Sequence, residues 1–143
     1  MAYQSNMWKY YALLSAFFAA LTAILAKVGI KGINGNLATA VRTSVVLFLA
    51  WGIVFFCGQL KEVKELSKTN LLFLILSGLA TGLSWIFYFK ALETGNVSKV
   101  APIDKLSVVF VMILSFFFLK EQMDMKTIAG GLLIVVGAIV LAW

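Results

Sequence analysis

The stretch Val100–Glu121, VAPIDKLSVVFVMILSFFFLKE, decides what kind of protein this chain is. It opens with a proline and an acid–base pair, and then runs without charge from Leu106 to Leu119. As a helix that run is about 21 Å long at ~1.5 Å per residue, whereas the hydrocarbon core of a bilayer is about 30 Å thick. The stretch is therefore either a short buried helix or a membrane span that extends back to about Val100.

The composition of the whole chain favours the membrane span. Of 143 residues, 62% are hydrophobic and only 13% are charged, whereas a soluble domain is nearer half apolar and a quarter charged. Nothing is left over for a soluble domain of useful size. The sequence predicts an all-α, polytopic membrane protein in which residues 1–143 form a single transmembrane domain.

Five apolar segments are long enough to cross a bilayer as helices. The first is longer than the hydrophobic region of a signal peptide and no clear cleavage motif follows it, so we interpret it as a span. The connections are short, which predicts that sequential helices pack antiparallel as neighbours. The five spans are predicted at about residues 8–26, 37–57, 71–89, 100–119 and 127–143.

Two details of the spans carry structural predictions. The polar connection Gln59–Asn70 is interpreted as a solvated loop, with a short surface helix as the alternative, and Thr69 or Asn70 is expected to cap the third span. A fourth span that begins at Val100 places Asp104 about 6 Å inside the membrane end.

Several other classes of protein are excluded. The net charge of +6 does not indicate nucleic acid, because the bases stand at the ends of apolar runs, as orienting residues of membrane proteins do. One cysteine and no histidine cannot build a zinc site. The sequence contains no catalytic constellation and no phosphate loop, so we expect no enzyme, metal or cofactor.

The basic residues are almost balanced between the two membrane sides. Six lysines lie on the side of the amino terminus and four on the other, and the embedded Arg42 and Lys105 bring the second side to six. The positive-inside rule then gives only a weak preference for the amino terminus inside. Such a small bias permits insertion in both orientations, which would supply the partners of an antiparallel homodimer.

The order of these features resembles the EamA-type domain of the drug/metabolite transporter superfamily. The resemblance rests on Lys27, Arg42, the segment GLSWIFYFKALETGNVSKVAPI, the LKE that ends the fourth span and the tail IAGGLLIVVGAIVL. Most members carry two such domains in inverted orientation and this chain carries one. The resemblance implies a partner, either a second copy or a half-size paralogue, with a site at the interface of the repeats.

Glycines in two spans suggest close approach of helices. Gly130 and Gly137 are similar to the dimerisation stripe on the last helix of small multidrug resistance proteins, although ordinary packing within one subunit explains them too. Gly78 and Gly82 form a G-x-x-x-G pair with the same two interpretations. The first span lacks the glutamate of the small multidrug resistance proteins, which argues against proton-coupled export of cationic drugs by their mechanism.

Charged groups at membrane depth cost ~2.5–3.5 kcal/mol on insertion scales and mark candidate sites. They suggest either a polar vestibule for anionic or zwitterionic solutes or interfacial cations whose stems reach the headgroups. The pair Arg42 and Asp104 fits a site or an internal ion pair, and the aromatic residues fit a cavity wall or lipid-facing packing. The candidate substrate-binding or cavity residues are Arg42, Ser84, Trp85, Tyr88, Asp104 and Lys105, with Lys27 and Lys90 favoured as interfacial.

The predicted function is a bacterial inner-membrane transporter of small metabolites or polar solutes, which works by alternating access as a dimer of half-size subunits. Its partners would be the lipid bilayer, a small-molecule solute and a second subunit. Two alternatives stay open: a subunit of a lipid-linked polyprenyl phosphate flippase, and a membrane scaffold or assembly partner that transports nothing.

Overall fold

A computed structural model describes residues 7–143, and within them every regular element is helical. The regular elements are six α-helices, a 3-10 helix and a π-helical turn. In chain order they are α1 (Met7–Gly29), α2 (Gly35–Phe56), the 3-10 helix (Gln59–Glu65), α3 (Lys68–Thr94), α4 (Val97–Asp104), α5 (Ser107–Leu114), the π-helical turn (Ser115–Leu119) and α6 (Met125–Ala142).

Five segments are long and apolar enough to cross a membrane, which confirms the all-helical fold class and the five predicted spans. They are α1, α2, α3, the combined segment Val97–Leu119 and α6. Four ends differ from the prediction by three residues or more, because α1 continues to Gly29, α3 runs from Lys68 to Thr94 and the fourth span begins at Val97. A lysine does not end a helix at the interface, since its long stem carries the ammonium group to water while the backbone stays helical.

Side chains cap the starts of three helices. Asn34 accepts from the Asn36 N–H at the start of α2, and Asp124 accepts from the Thr127 N–H at 2.9 Å at the start of α6. At the start of α3 the Ser67 hydroxyl accepts from the Asn70 N–H at 3.1 Å. The cap of α3 is therefore Ser67 rather than Thr69 or Asn70, because the helix begins earlier than the apolar run alone indicates.

Pro102 explains why the fourth span is broken into two helices. It lies inside α4, where it has no N–H to donate and its ring crowds the preceding turn. After the proline, four N–H groups bond to the carbonyl three residues back at 3.0–3.1 Å, those of Lys105, Leu106, Val108 and Val109. Because the helix begins at Val97, Asp104 lies about 10 Å from its start rather than 6 Å.

The other end of the fourth span is also irregular. The π-helical turn widens the last turn, so that the N–H groups of Lys120 and Glu121 both reach the carbonyl of Ser115. Lys120 adopts φ 54°, and it is the one residue other than glycine with positive φ among residues 7–143. This left-handed residue stops the helix as a glycine usually does.

The polar connection predicted as a solvated loop is partly helical. Gln59–Glu65 forms the 3-10 helix, and the left-handed Gly58, at φ 71°, precedes it. Every residue of this helix is exposed. The alternative interpretation, a short surface helix, is the one that the structure supports, in the tighter 3-10 form.

The chain divides into two compact parts, which we describe separately. In the part Ala26–Glu93, the most buried apolar side chains are Leu92 at 0% exposure and Phe89 at 2%, with Ile30 and Ala38 beside them in the core. In the part formed by residues 7–25 and Thr94–Trp143, α6 packs against both α4 and α5.

Candidate functional site

Arg42 is held on an aromatic surface within the part Ala26–Glu93. Its guanidinium carbon lies 4.0 Å from the centre of the Trp85 ring and 5.7 Å from that of Phe89. Both distances are within the ~6 Å range of a cation–π interaction. The structure therefore brings together two of the predicted site residues, Arg42 and Trp85, which are 43 positions apart in the sequence.

The local helix geometry explains this contact. Gly35 at the start of α2 lies against α3, since a Cβ built on it would be 3.4 Å from the backbone of Phe89. Arg42 is seven residues further along α2, about 10 Å at ~1.5 Å per residue. Trp85 is four residues before Phe89, about one turn back along α3. The two helices therefore run antiparallel here, and their facing residues meet in order.

Two further predicted residues of α3 stand beside this contact. Tyr88 is half-buried, and its ring is edge-on to that of Phe89 with 6.4 Å between centroids. Ser84 is exposed and precedes Trp85 in the chain. Two aromatic rings thus lie against the arginine, and Ser84 and Tyr88 are neighbours of those rings along α3.

A second group of polar contacts ties the end of α3 to the α1–α2 connection. The Lys27 ammonium donates to the carbonyl of Leu92, and the Glu93 carboxylate accepts from the N–H of Gly35. The Thr39 hydroxyl donates to the Gly35 carbonyl at 2.8 Å. Three helix ends are therefore joined by side-chain hydrogen bonds around the buried residues Gly35 and Leu92.

A cavity of about 280 Å³ opens at the same place. Its wall combines charged groups with aliphatic side chains, and the turn in the wall requires Gly32 at φ 78°. The residues that line it are Lys27, Ile30, Lys31, Gly32, Ile33 and Glu93.

Asp104 and Lys105 belong to the other compact part of the chain. Their side chains form an ion pair at 3.4 Å, where α4 ends. The Asp104 side chain is 37% exposed and that of Lys105 is 58% exposed. Adjacent residues in a break of the span thus neutralise each other locally, and their role toward a solute stays a prediction.

The four glycines predicted to pack helices face open space. A Cβ built on Gly78, Gly82, Gly130 or Gly137 meets nothing within 4 Å in the described residues. Two other glycines lie in close contact: Gly35, described above, and Gly131, where a Cβ would be 2.7 Å from the Met112 sulfur. The four predicted glycines stay candidates for contact with a second subunit.

Glu93 is the residue of this region that the sequence interpretation missed. Two signals pointed to it: a carboxylate is favourable near a helix N-terminus, and odd–even counting of spans places the end of α3 on the membrane side where α2 begins. Within residues 7–143, no cluster of histidine, cysteine, aspartate or glutamate could hold a metal ion.

Comparison with known proteins identifies the family. The model of the EamA-like transporter family matches residues 6–143. The chain belongs to this family. A curated relative from Sinorhizobium sp., described as an uncharacterized transporter in the cobO 3' region, is 48% identical over 138 residues, which cover 96% of this chain and 98% of the relative. No solved structure matches.

Membership of the EamA-like family makes the chain a multi-pass membrane transporter and not an enzyme. It confirms the resemblance carried by Arg42 and the motifs of the third, fourth and fifth spans. A transporter also implies the lipid bilayer as its surroundings and a solute as its cargo. Among the described residues of this EamA-like chain, Arg42 is a cation within a predicted span that contacts an aromatic ring, that of Trp85.

Proposed function

We propose that this EamA-like chain is a bacterial inner-membrane transporter of small anionic or zwitterionic solutes. It works by alternating access as a dimer of half-size subunits. The observation that supports the solute class is the guanidinium of Arg42, which lies over the indole of Trp85 at 4.0 Å from the ring centre.

The stacking makes Arg42 suitable for binding an anion. The contact places the guanidinium carbon over the face of the indole ring, and the guanidinium group carries five N–H donors in its own plane. Those in-plane donors match the two oxygens of a carboxylate or a phosphate. Trp85 and Phe89 thus hold the cation through their rings, which accept no conventional hydrogen bond, and the N–H donors of Arg42 are the groups that we propose bind the solute.

The energetic balance favours a functional role for this arginine. A guanidinium group near the bilayer centre costs ~2.5–3.5 kcal/mol on insertion scales, and the position about 10 Å inside α2 reduces that cost. A partly desolvated cation–π contact returns about 1–2 kcal/mol. The contact with Trp85 therefore offsets only part of the insertion cost of Arg42. A leucine at this position would insert at no cost, so the presence of an arginine favours a functional role.

Transport by purified protein in vesicles tests the solute class. We expect uptake of amino acids or small carboxylates, and loss of that uptake in Arg42→Gln and in Trp85→Leu. Arg42→Lys keeps the charge without the planar fork, so we expect an intermediate rate. Lys99→Gln removes a charge elsewhere and serves as the control. Transport of every solute at the normal rate by Arg42→Gln, in protein that expresses and assembles normally, contradicts the proposal.

The dimer is tested on the open face of α6. A Cβ at Gly130 or Gly137 meets nothing within 4 Å in the described residues, so we expect a leucine there to disturb a contact with a second copy rather than the packing of its own subunit. Gly52→Leu is the matched control, because Gly52 on α2 is equally open. We expect crosslinked dimer to decrease for the α6 variants and not for the control. Unchanged dimer in both α6 variants excludes this face.

The antiparallel arrangement has its own test. Reporter proteins that are active on opposite sides of the membrane are fused after Trp143. Activity of both reporters supports insertion in two orientations, whereas activity of a single reporter rules out an antiparallel homodimer.

A further inference from the structure

The hydroxyl groups in the apolar middle of α3 lie on one face of the helix. Between Leu71 and Phe89 this helix carries four hydroxyl groups and no charge. Their spacings of four, three and four residues place them within about 60° of arc at 3.6 residues per turn. The four residues, which we call the hydroxyl face, are Ser77, Thr81, Ser84 and Tyr88.

Burial within the chain does not explain why the hydroxyl groups share a face. The serine and threonine residues of the hydroxyl face are all exposed. The side of α3 opposite to them is exposed as well, at 52–61%, and carries only aliphatic side chains. The residues of that side, which we call the apolar face, are Ile75, Leu79 and Leu83. The two faces of this helix therefore differ in polarity and not in exposure.

The surroundings that suit each face differ in a membrane. A hydroxyl group in hydrocarbon is unfavourable unless another group replaces its hydrogen bonds to water, whereas leucine and isoleucine side chains are favoured there. The Thr81 hydroxyl replaces one such bond, because it donates to the Ser77 carbonyl at 2.9 Å. Its oxygen still has lone pairs that accept hydrogen bonds. The hydroxyl face is therefore suited to water or a polar solute, and the apolar face to acyl chains.

The hydroxyl face begins beside the Arg42 contact. Trp85, over which the guanidinium group lies at 4.0 Å from the ring centre, is four residues after Thr81 and therefore at the edge of the same face. From there the hydroxyl groups continue toward the start of α3, and Ser77 is about 12 Å from Trp85 at ~1.5 Å per residue. An ionisable residue within a span usually faces the interior of a bundle or a water-filled cavity. Water that reaches Arg42 thus meets hydroxyl groups further along the span.

We propose that the hydroxyl face of α3 lines the path by which the solute crosses the membrane. Arg42 binds the anionic group of the solute, and the hydroxyl groups replace hydrogen bonds that its other polar atoms lose on leaving water. From Ser77 to Tyr88 the face covers about 16 Å of a hydrocarbon core ~30 Å thick. This inference rests on the proposed transport of anionic or zwitterionic solutes, and it adds Ser77 and Thr81 to the residues that contact the solute.

The experiment measures how fast single cysteines in the full chain, in membrane vesicles, react with water-soluble methanethiosulfonate reagents. The thiolate is the reacting form, and apolar surroundings disfavour it, so a fast reaction reports contact with water. The native Cys57 is exposed and is first replaced by serine. The hydroxyl face and the apolar face each supply three variants. They are Ser77→Cys, Thr81→Cys and Ser84→Cys, and Ile75→Cys, Leu79→Cys and Leu83→Cys.

We expect cysteines on the hydroxyl face to react at least about tenfold faster than those on the apolar face, since only the former contact water.

The charge of Arg42 gives a second readout in Thr81→Cys. A sulfonate reagent and a trimethylammonium reagent are compared, each relative to its rate with a small thiol in solution. A cation beside the path raises the local concentration of anions, so we expect the relative rate to favour the sulfonate about fivefold. Arg42→Gln should remove this preference, and Lys99→Gln, the control, should retain it.

The outcomes separate the path from the solute class. Equal rates on the two faces overturn the path, and so does slow labelling of Ser77→Cys together with a disulfide-linked dimer, which assigns the face to contact with a second copy. Loss of uptake in Arg42→Gln with equal labelling of both faces retains the solute class and contradicts the path. Normal uptake in Arg42→Gln with fast labelling of the hydroxyl face alone retains the path and contradicts the solute class.

Discussion

Removal of the Glu93 carboxylate is the perturbation with the clearest structural expectation. This carboxylate accepts from the N–H of Gly35, which is buried at the start of α2. The first four N–H groups of a helix have no partner within the helix. In Glu93→Ala the Gly35 N–H loses its acceptor, and the positive end of α2 loses a nearby negative charge.

The magnitude follows from those two losses. A hydrogen bond to a charged group contributes ~1.5–3 kcal/mol and a charge near a helix terminus ~0.3–1 kcal/mol. The Glu93 residue is exposed, so water replaces part of both contributions. We expect Glu93→Ala to lower the free energy of unfolding by about 1–2 kcal/mol. Glu93→Gln retains an acceptor oxygen and loses only the charge, so we expect about 0.5–1 kcal/mol.

Unfolding by SDS in mixed micelles, without added anionic lipid, measures these differences. Glu62→Ala in the 3-10 helix is the control, with an expected change within ~0.5 kcal/mol. Gly35→Ala provides a second check, because its Cβ would lie 2.6 Å from the Glu93 carboxylate oxygen and displace it. Once Glu93 is alanine, we expect Gly35→Ala to cost nothing more. The reasoning is refuted if Glu93→Ala costs no more than the control, or if the Gly35 and Glu93 effects add.

Three smaller predictions concern the second half of the chain. Lys120→Gly relieves a left-handed backbone, and we expect a gain of roughly 1 kcal/mol in the same unfolding assay; a loss contradicts this. The Thr127 hydroxyl and N–H lower the pKa of Asp124. The ionised cap thus stabilises above the unfolded pKa of ~3.9, and this contribution disappears as the pH falls through the lower folded value. The unfolding midpoint should therefore decrease as the pH is lowered below ~3.9, and Asp124→Asn, which has no carboxylate to titrate, should show a smaller decrease. Gly131→Leu should destabilise more than Gly131→Ala, because the flexible Met112 tip yields to a methyl group but not to an isobutyl group; equal unfolding midpoints contradict this.

The five spans were predictable because their signal is contained in the sequence itself. About 20 apolar residues are needed to cross a bilayer, and five such segments stand between polar connections. The ends were less predictable, because Lys27 and Lys90 lie inside helices that continue to Gly29 and Thr94. A charge in the sequence marks where the side chain meets water, and the backbone helix ends elsewhere.

The candidate site was predictable as a set of residues and not as an arrangement. An arginine in a span is a candidate from its cost alone, and Trp85 with Tyr88 is a candidate from spacing. That Arg42 lies over Trp85 depends on how α2 packs against α3. The role of Glu93 depends on the same packing, since its partner Gly35 is 58 residues away. Neither contact leaves a periodic signal in a single sequence.

The 3-10 helix between α2 and α3 makes that connection sensitive to its length. With three residues per turn, side chains three apart eclipse each other. Leu60 and Val63 therefore form an apolar row, 45% and 43% exposed, beside a row of lysines and a row of glutamates at the positions that follow. Deletion of one residue rotates the rows by about 120° and turns lysines toward the position of the apolar row. Tolerance to substitution along this segment should therefore repeat every three residues, with the positions of the apolar row, Leu60 and Val63, differing from the charged positions between and after them.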